Sequence, residues 1–405
     1  MSPRYAALTQ PQPLSLAEIQ KQLLDPDTLL LEYALGEERS FLWAVTPDSF
    51  KTYELPSRSK LEAVARQSYE DLSSRQRTPH AGTVDPTLTL SHMLLTPVAA
   101  ELGKKRLVIV CDGALQYIPF AALPNPSLPD RPLIADHEVV NLPSASTAAL
   151  LRHQIEERKT APKLVAVLAD PVFNPNDPRV THSAATHAEH VAVAQATEPE
   201  NLERSGQDAG VPVFERLLAS RREADTIVAL AGKDRSLEAV DFDASRELVA
   251  SDALGEYRFL HFATHGLLNS RSPELSGLVF SLVDRQGKPQ NGFLEAQEIY
   301  NLKLGADLVV LSACQTALGK EIRGEGLVGL SRGFMYAGVP RVIASLWKVP
   351  DQATTELMQN FYRGILKQGL QPAAALRAAQ YSMWKESRRS SPYYWAGFTL
   401  QGEWQ

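Results

Sequence analysis

Two side chains with reactive chemistry follow short apolar segments of this sequence. A histidine, His265, stands in the string HFATHG over 261–266, and a cysteine, Cys314, stands in the string LSACQT over 311–316. A cysteine attacks a carbonyl carbon only as its thiolate, and a histidine beside it can accept the thiol proton. The next residue after the histidine, Gly266, supplies a backbone N–H that could hold the oxyanion of an acyl intermediate. A structural cysteine at a strand end is the alternative interpretation of the same spacing.

The elements that would position these residues are short apolar runs that alternate with helical periodicity. Apolar runs without strict polar alternation are typical of strands buried on both faces of a parallel sheet. We therefore predict a layered α/β fold, in which functional groups gather beyond the carboxyl ends of the strands. His265 and Cys314 then share one sheet edge if their strands are neighbours. The predicted strands are 106–111, 137–141, 163–169, 257–263, 306–313 and 340–346, and the predicted helices are 214–231, 244–252, 325–337, 351–367 and 372–385.

Two segments lie outside this alternation. Residues 1–27 are predicted to be a short helical segment and linker, because Ser15 followed by Glu18 forms a capping-box pattern. Residues 171–212 are polar and rich in Pro, Ala and His. A segment of this length without periodicity is usually functional or disordered, so we predict a mobile loop there.

Composition and charge exclude several classes of protein. The 405 residues carry 41 basic and 47 acidic side chains, a formal net charge of −6, which gives no support to nucleic-acid binding. No apolar stretch approaches the roughly 18 residues of a membrane span, and the amino-terminal residues lack the apolar core of a secretion signal. The two cysteines, Cys111 and Cys314, are too few for a disulfide framework. We therefore expect a protein of the reducing cytoplasm, without nucleic-acid or membrane partners.

Three further patterns suggest chemistry that the surrounding sequence does not support. The string GLSRG over 329–333 matches a hydrolase elbow, but no histidine follows it to complete that order of residues. The string GEGLVG over 324–329 matches a dinucleotide fingerprint, but ten residues separate it from the preceding predicted strand, so a nucleotide-binding regulator stays only an alternative. His182, His187 and His190 lack a cysteine or carboxylate at metal-ligand spacing, so no metal site is predicted.

Several longer strings carry a family resemblance. They are HFATHG, LVVLSACQTALG over 308–319, GEGLVGLSRGFMYAGVPRVIASLWKV over 324–349, DGALQYIPF over 112–120 and WAGF over 395–398. Together they resemble the CHAT-domain family of caspase-like proteins, which is related to caspases and separase. The resemblance implies a caspase-like α/β/α sandwich over 161–405, in which His265 and Cys314 form a peptidase dyad that needs no metal or organic cofactor. It also implies that 28–160 is a degenerate caspase-like subdomain without the dyad, with Cys111 as a core residue.

The same resemblance indicates residues that would contact a substrate, and a partner. Asp351, in the loop 345–351, resembles in position the acidic residue that separase directs at a substrate arginine; an ordinary helix N-cap is the alternative. Trp347 either stacks on a substrate side chain or packs in the core, and Asp170 is a second acidic candidate at the same sheet edge. Many CHAT domains follow an array of helical repeats, so we expect either a separate helical-repeat partner or an upstream region missing from this chain.

The sequence thus predicts a cysteine endopeptidase that cleaves a protein substrate through His265 and Cys314, with backbone N–H groups of Gly266 and Cys314 holding the oxyanion. A basic residue is expected before the scissile bond, because a carboxylate pairs with a guanidinium through two parallel hydrogen bonds. The alternative from another class is a caspase-like scaffold that binds partners without turnover.

Overall fold

The structure is a computed structural model that describes most of the chain. The described residues are 12–75, 85–156, 158–181, 202, 205–207, 213–267, 275–312 and 326–404, with the backbone alone for 326–329. Most of the segment 171–212, including His182, His187 and His190, lies outside the described residues, and so does Cys314.

The chain divides into two compact units. The first combines Met1–Glu157 with Gln368–Gln405, and the second is Arg158–Lys367. The segment after residue 367 therefore groups with the amino-terminal part of the chain, while both residues of the predicted dyad belong to the second unit. The predicted domains 1–27, 28–160 and 161–405 stay a prediction.

Strands and helices are numbered here along the whole chain. The strands of the first unit are Thr28–Ala34 (β1), Ser40–Thr46 (β2), Ser49–Leu55 (β3), Arg106–Val110 (β4), Pro124–Asn125 (β5), Leu128–Pro132 (β6), Val139–Leu142 (β7) and Phe398–Gly402 (β16). Its α-helices are Leu16–Glu18 (α1), Arg58–Leu72 (α2), Pro86–Leu95 (α3), Ala99–Leu102 (α4), Ala145–Glu156 (α5) and Pro372–Lys385 (α11). Ser15 and Glu18 form the predicted capping box at the start of α1.

A mixed sheet forms the core of the first unit. Its described strands follow the order β3-β2-β1-β4-β7-β16. The hairpin strands β1, β2 and β3 pair antiparallel, whereas β1, β4, β7 and β16 run parallel. The three leucines at 29–31 in β1 are fully buried, which is typical of a strand covered on both faces.

The second unit contains a parallel sheet. Its strands are Lys163–Pro171 (β8), Ser236–Asp241 (β9), Tyr257–Ala263 (β10), His265–Leu267 (β11), Gly277–Val279 (β12), Phe293–Glu295 (β13), Leu308–Leu311 (β14) and Arg341–Ser345 (β15), and its α-helices are Leu218–Ala231 (α6), Arg246–Ala250 (α7), Ala296–Ile299 (α8), Gly326–Tyr336 (α9) and Asp351–Gln368 (α10). Within the described ranges of this unit, the parallel strands follow the order β15-β14-β10-β8-β9. Strands β11, β12 and β13 form a separate antiparallel sheet.

Helices cover both faces of this parallel sheet. The ring of His261, in β10, contacts Glu223 of α6 and Tyr362 of α10. The next residue, Phe262, stacks on Phe334 of α9 with ring centroids 5.7 Å apart. Because consecutive side chains of a strand point to opposite faces, α6 and α10 lie on one face and α9 on the other. The predicted α/β/α sandwich is confirmed.

The predicted elements agree with the observed ones for most of the second unit. The strands predicted at 163–169, 257–263 and 340–346 correspond to β8, β10 and β15 within two residues at either end. In the second unit, strands β9, β11, β12 and β13 were not predicted, and β16 of the first unit was not predicted either. No helix in the described ranges is both long enough and apolar enough to cross a membrane.

Candidate active site

His265 lies just beyond the carboxyl end of the central strand β10. The strand ends at Ala263, and the hydroxyl of the buried Thr264 donates a hydrogen bond to the carbonyl of Val279. His265 then begins β11, where it lies opposite Val279 in the antiparallel register. Only 3% of His265 is exposed, so this turn buries the ring at the carboxyl edge of the sheet.

The ring of His265 is held by a backbone carbonyl. Its Nε2 atom lies 2.7 Å from the carbonyl oxygen of Glu215. A carbonyl oxygen can only accept a hydrogen bond, so Nε2 carries the proton of the neutral ring and Nδ1 carries the lone pair. Nδ1 is buried and has no hydrogen-bond partner among the residues that the structure describes. These surroundings leave Nδ1 as a proton acceptor.

Two phenylalanines flank this imidazole and help to keep it neutral. The ring centroids of Phe173 and Phe214 lie 4.9 Å and 5.5 Å from that of His265. Burial lowers the pKa of His265 and the charge of Lys348 lowers it further, whereas the hydrogen bond to Glu215 raises it. The net pKa lies below the ordinary 6.5, so the ring is predominantly uncharged at neutral pH.

The strand that leads to the predicted nucleophile lies directly beside β10. In the parallel register, Phe262 is the partner of Leu311 in β14, and the N–H of Ser312 donates to the carbonyl of Phe262 at 2.9 Å. His265 follows Phe262 by three residues, and Cys314 follows Leu311 by three residues. Cys314 itself lies outside the described residues, so the structure gives the position of its strand but not of its thiol.

Gly266 is the middle residue of β11 and lies opposite Leu278 of β12. It is buried and directly follows His265. Its predicted role as a backbone donor to an oxyanion stays a prediction.

The second cysteine has surroundings that suppress its reactivity. Cys111 follows β4 in the first unit and is only partly exposed. Burial raises the pKa of its thiol well above the ordinary value, and the charge of Asp112 raises it further. A thiol that stays protonated is a poor nucleophile, so Cys111 has the character of a structural cysteine.

The structure corrects the role predicted for Asp170. The residue has no exposed surface, and its two carboxylate oxygens accept hydrogen bonds from Arg216 at 3.0 Å and 2.8 Å. Arg221 and Arg179 approach the same carboxylate at 3.3 Å and 3.2 Å. Three guanidinium groups of this chain therefore occupy the carboxylate that was expected to bind a substrate, and we assign it no substrate contact.

Trp347 is buried as well, with 4% of its surface exposed. Stacking on a substrate side chain requires an accessible ring face. Of the two interpretations of Trp347, its burial therefore favours core packing, and we assign it no substrate contact.

Asp351, by contrast, is exposed and borders a cavity of about 640 Å³ between the start of α6 and the first half of α10. In the sequence, the lining residue Leu218 follows Glu215 by three residues, and Asp351 follows Lys348 by three residues. Its lining residues are Leu218, Ala219, Arg222, Asp351, Gln352, Thr355, Glu356 and Gln359. Two carboxylates and one guanidinium give this lining a formal charge of −1.

Sequence reasoning missed two groups that act on the imidazole, the carbonyl of Glu215 and the charge of Lys348. A backbone carbonyl in an irregular segment has no signature in residue type, so no motif could reveal it. Lys348 lies in the loop 345–351, but the sequence does not show that its charge acts on His265. The structure shows that this charge lowers the pKa of His265.

The described residues include no group of three or more His, Cys, Asp or Glu side chains placed to hold a metal ion.

Comparison with known proteins places this geometry in context. The model of the CHAT domain matches residues 85–403. Tetratricopeptide repeat protein 28 of Mus musculus is 27% identical in an alignment of 379 residues that covers 83% of this chain and 14% of that protein. Its counterpart in Homo sapiens is 36% identical over 113 residues, 28% of this chain and 4% of that protein. The chain thus spans about one seventh or less of the length of these curated relatives.

A solved structure shares the fold. In the separase–securin complex of Saccharomyces cerevisiae, separase aligns with 99% of this chain at a TM-score of 0.55 and 9% identity, and the alignment covers 31% of that protein chain. At this identity the likeness shows the fold alone, which is caspase-like.

Proposed function

The chain belongs to the CHAT-domain family, and from this premise we propose that it is a cysteine endopeptidase with His265 and Cys314 as its catalytic dyad. The observation that carries the proposal is the state of the His265 ring. The ring is buried, and its Nε2 atom is held by the carbonyl of Glu215. Its Nδ1 atom has no hydrogen-bond partner among the residues that the structure describes. It lies at the end of β10, and Cys314 follows the end of the adjacent strand β14.

In the proposed reaction, Nδ1 of His265 accepts the proton of Cys314 Sγ, and the thiolate attacks the scissile carbonyl carbon. A C–S bond forms and the carbonyl π electrons move onto oxygen. When the C=O bond re-forms, the C–N bond breaks, and the imidazolium gives its proton to the leaving amine. Water that loses a proton to Nδ1 then cleaves the thioester, which releases the acid and restores the thiol.

Two groups would stabilise the charges that develop in this reaction. The hydrogen bond from Nε2 to Glu215 strengthens as the ring becomes an imidazolium, because charge-assisted hydrogen bonds are the stronger ones. The backbone N–H groups of Gly266 and Cys314 would hold the oxyanion. Neither the proton transfers nor the stabilisation of the oxyanion requires a metal or an organic cofactor.

We propose that the substrate is a protein cleaved after a basic residue. Asp351 lies at the start of α10 and lines an exposed cavity that also includes Leu218, three residues after Glu215. Glu356, one turn further along the helix, adds a second carboxylate to the same lining. A lysine or arginine side chain that enters this cavity would meet opposite charge, although the guanidinium of Arg222 offsets part of it.

A helical-repeat partner and a reducing compartment complete the proposal. The relatives carry the name of tetratricopeptide repeat proteins, so we propose that a helical-repeat region, in the same protein or in a partner, regulates this chain. A cysteine nucleophile must stay reduced to act, which fits the cytoplasm.

The proposal is tested by incubating a randomised peptide library with the purified chain and its variants. Wild type and Cys111→Ser should cleave the library, whereas Cys314→Ala and His265→Ala should not. If Cys314→Ala cleaves as fast as wild type, the assignment of the nucleophile is wrong. If folded wild type neither cleaves nor reacts with a thiol-directed acyloxymethyl-ketone probe, the alternative is favoured, a caspase-like scaffold without turnover.

A further inference from the structure

A cluster of charged side chains, centred on the buried Asp170, lies next to the carbonyl that holds His265. Its three acidic members are Asp170, Asp177 and Asp241, and its three basic members are Arg179, Arg216 and Arg221. The formal charges therefore balance. A buried pair is tolerated only when its hydrogen bonds are satisfied, and in this cluster nearly every contact is a direct guanidinium–carboxylate hydrogen bond.

Asp170 is the centre of this cluster and the last residue but one of β8. Its φ angle is +46°, a left-handed conformation that a non-glycine residue rarely adopts. Besides the two hydrogen bonds from Arg216, its backbone N–H donates to Ser220 Oγ at 2.9 Å, and that hydroxyl donates to the carbonyl of Leu217 at 2.7 Å. Asp170 therefore binds the segment 216–220 through both its side chain and its backbone.

This segment directly follows the two residues that contact the imidazole, Phe214 and Glu215. Residues 214–217 have no regular secondary structure, so the hydrogen bonds of a helix or strand do not fix the backbone of Glu215. Arg216, whose guanidinium is bound bidentately by Asp170, directly follows Glu215. Phe214, on the other side of Glu215, packs on the ring of His265.

We propose that the Asp170–Arg216 ion pair positions the carbonyl of Glu215 and thereby holds His265 in the tautomer with the proton on Nε2. Asp170 and Arg216 are positioning residues, because they act on His265 only through the backbone of Glu215. A bidentate pair restrains both the position and the rotation of the residue that bears it. The catalytic importance of this restraint rests on the proposed function, but the restraint itself does not.

The test combines a spectroscopic readout with a kinetic one. Imidazole ¹⁵N NMR of histidine-labelled protein, assigned with His265→Asn, reports which ring nitrogen carries the proton. Wild type should show the Nε2-protonated form alone. Arg216→Gln removes the positive charge, whereas Arg216→Lys keeps the charge but not the pair of parallel hydrogen bonds to Asp170. Both variants should show a mixture of the two tautomers. The rate of Cys314 alkylation by the acyloxymethyl-ketone probe should fall at least about tenfold, since small misplacements of a catalytic group have large effects.

Arg258→Gln is the matched control. Arg258 forms a comparable ion pair with Asp307 at 2.8 Å, but it lies at the opposite end of β10 from His265. This variant should lose a similar ion pair while its His265 tautomer and alkylation rate stay unchanged.

The outcomes separate this proposal from the proposed function. If both Arg216 variants keep the pure Nε2-protonated form and the alkylation rate of the control, the Asp170–Arg216 pair does not position Glu215. If the tautomer changes as expected while wild type shows no alkylation, the positioning role stands and the peptidase assignment falls.

Discussion

His261 Nε2 lies 2.8 Å from the Oε1 atom of Glu223, and both side chains are buried between β10 and α6. The other ring nitrogen, Nδ1, lies 3.1 Å from the hydroxyl of Tyr362 in α10. Burial raises the pKa of Tyr362 well above 10, and the charge of Glu223 raises it further, so the hydroxyl stays protonated. The ring of His261 therefore joins the central strand to both helices of one layer.

Breaking this pair should destabilise the second unit. We expect Glu223→Leu to lower the free energy of unfolding by about 3 kcal/mol, because it leaves a buried ring nitrogen of His261 without a polar neighbour. Glu223→Gln keeps a hydrogen-bonding group and should cost only about 1–2 kcal/mol. Urea unfolding measures both, with Glu247→Leu, an exposed carboxylate of α7, as a control expected within about 0.5 kcal/mol of wild type. Equal losses for the leucine and glutamine variants would contradict this account.

The two cysteines should differ sharply in reactivity. Because burial raises the pKa of the Cys111 thiol, its thiolate is scarce at neutral pH, and an alkylating reagent should modify Cys314 and spare Cys111. Mass spectrometry of the folded protein checks the modified site. Cys314→Ser should stay unmodified until it is unfolded in urea, at which point Cys111 reacts. Rapid modification of Cys111 in the folded chain would show that this thiol is not suppressed.

The parallel sheet was predictable because its inner strands are continuous apolar runs. Strand β9 was missed because it is the outer strand of its sheet and Ala239 alone of its residues is fully buried. The sequence also predicted that His265 lies at the carboxyl edge of the sheet. A predicted strand ends at residue 263, and the string HFATHG continues beyond it to His265.

The environment of Asp170 was not predictable in the same way. Its arginines lie 9, 46 and 51 positions away along the chain, and no local pattern relates residues at such separations. The sequence indicated an acidic residue at the correct edge of the sheet. Only the folded chain shows that its own arginines neutralise it.

Acid should destabilise the fold partly through His265. Burial lowers the pKa of His265 below its ordinary 6.5, so between the folded pKa and 6.5 the unfolded chain binds the proton more readily. The contribution of His265 to the free energy of unfolding should therefore be constant above pH 6.5. It should decrease as the pH falls from 6.5 to the folded pKa and be constant again below that pKa. Urea titrations of wild type and His265→Gln isolate the effect, since the variant lacks this part of the pH dependence. Identical pH profiles for the two proteins would show that His265 does not contribute to the loss of stability in acid.

The charge of Lys348 should tune the same group. Lys348 lowers the pKa of His265, so Lys348→Gln should raise that pKa and shift the acid limb of kcat/KM to higher pH. Added salt should shift wild type in the same direction, because it screens the ammonium charge, and should shift the variant less. Lys367→Gln, an exposed lysine at the other end of α10, is the matched control. A shift of the acid limb to lower pH in Lys348→Gln would contradict the conclusion that Lys348 lowers the pKa of His265.

The last prediction concerns substrate preference, which should favour Arg or Lys over Asp before the scissile bond. The reason is Asp351, an exposed carboxylate on the cavity between α6 and α10. A guanidinium entering this cavity can form two parallel hydrogen bonds with the carboxylate, whereas an aspartate side chain would meet like charge. Library cleavage followed by sequencing of the products measures the preference.

Removing the carboxylate should remove the preference. Asp351→Ala should reduce turnover of arginine peptides by at least about tenfold, equivalent to about 1.4 kcal/mol, because the substrate cation then loses its partner. Glu356→Gln, one turn further along α10, should have a smaller effect of the same sign, and Glu247→Ala, in the first turn of another helix, should have none. Labelling of Cys314 by a small alkylating reagent should stay intact in all three variants, since none of them touches the dyad. Cleavage centred on aspartate or apolar residues, or an unchanged arginine preference in Asp351→Ala, would assign the specificity to other residues while leaving His265 and Cys314 in place.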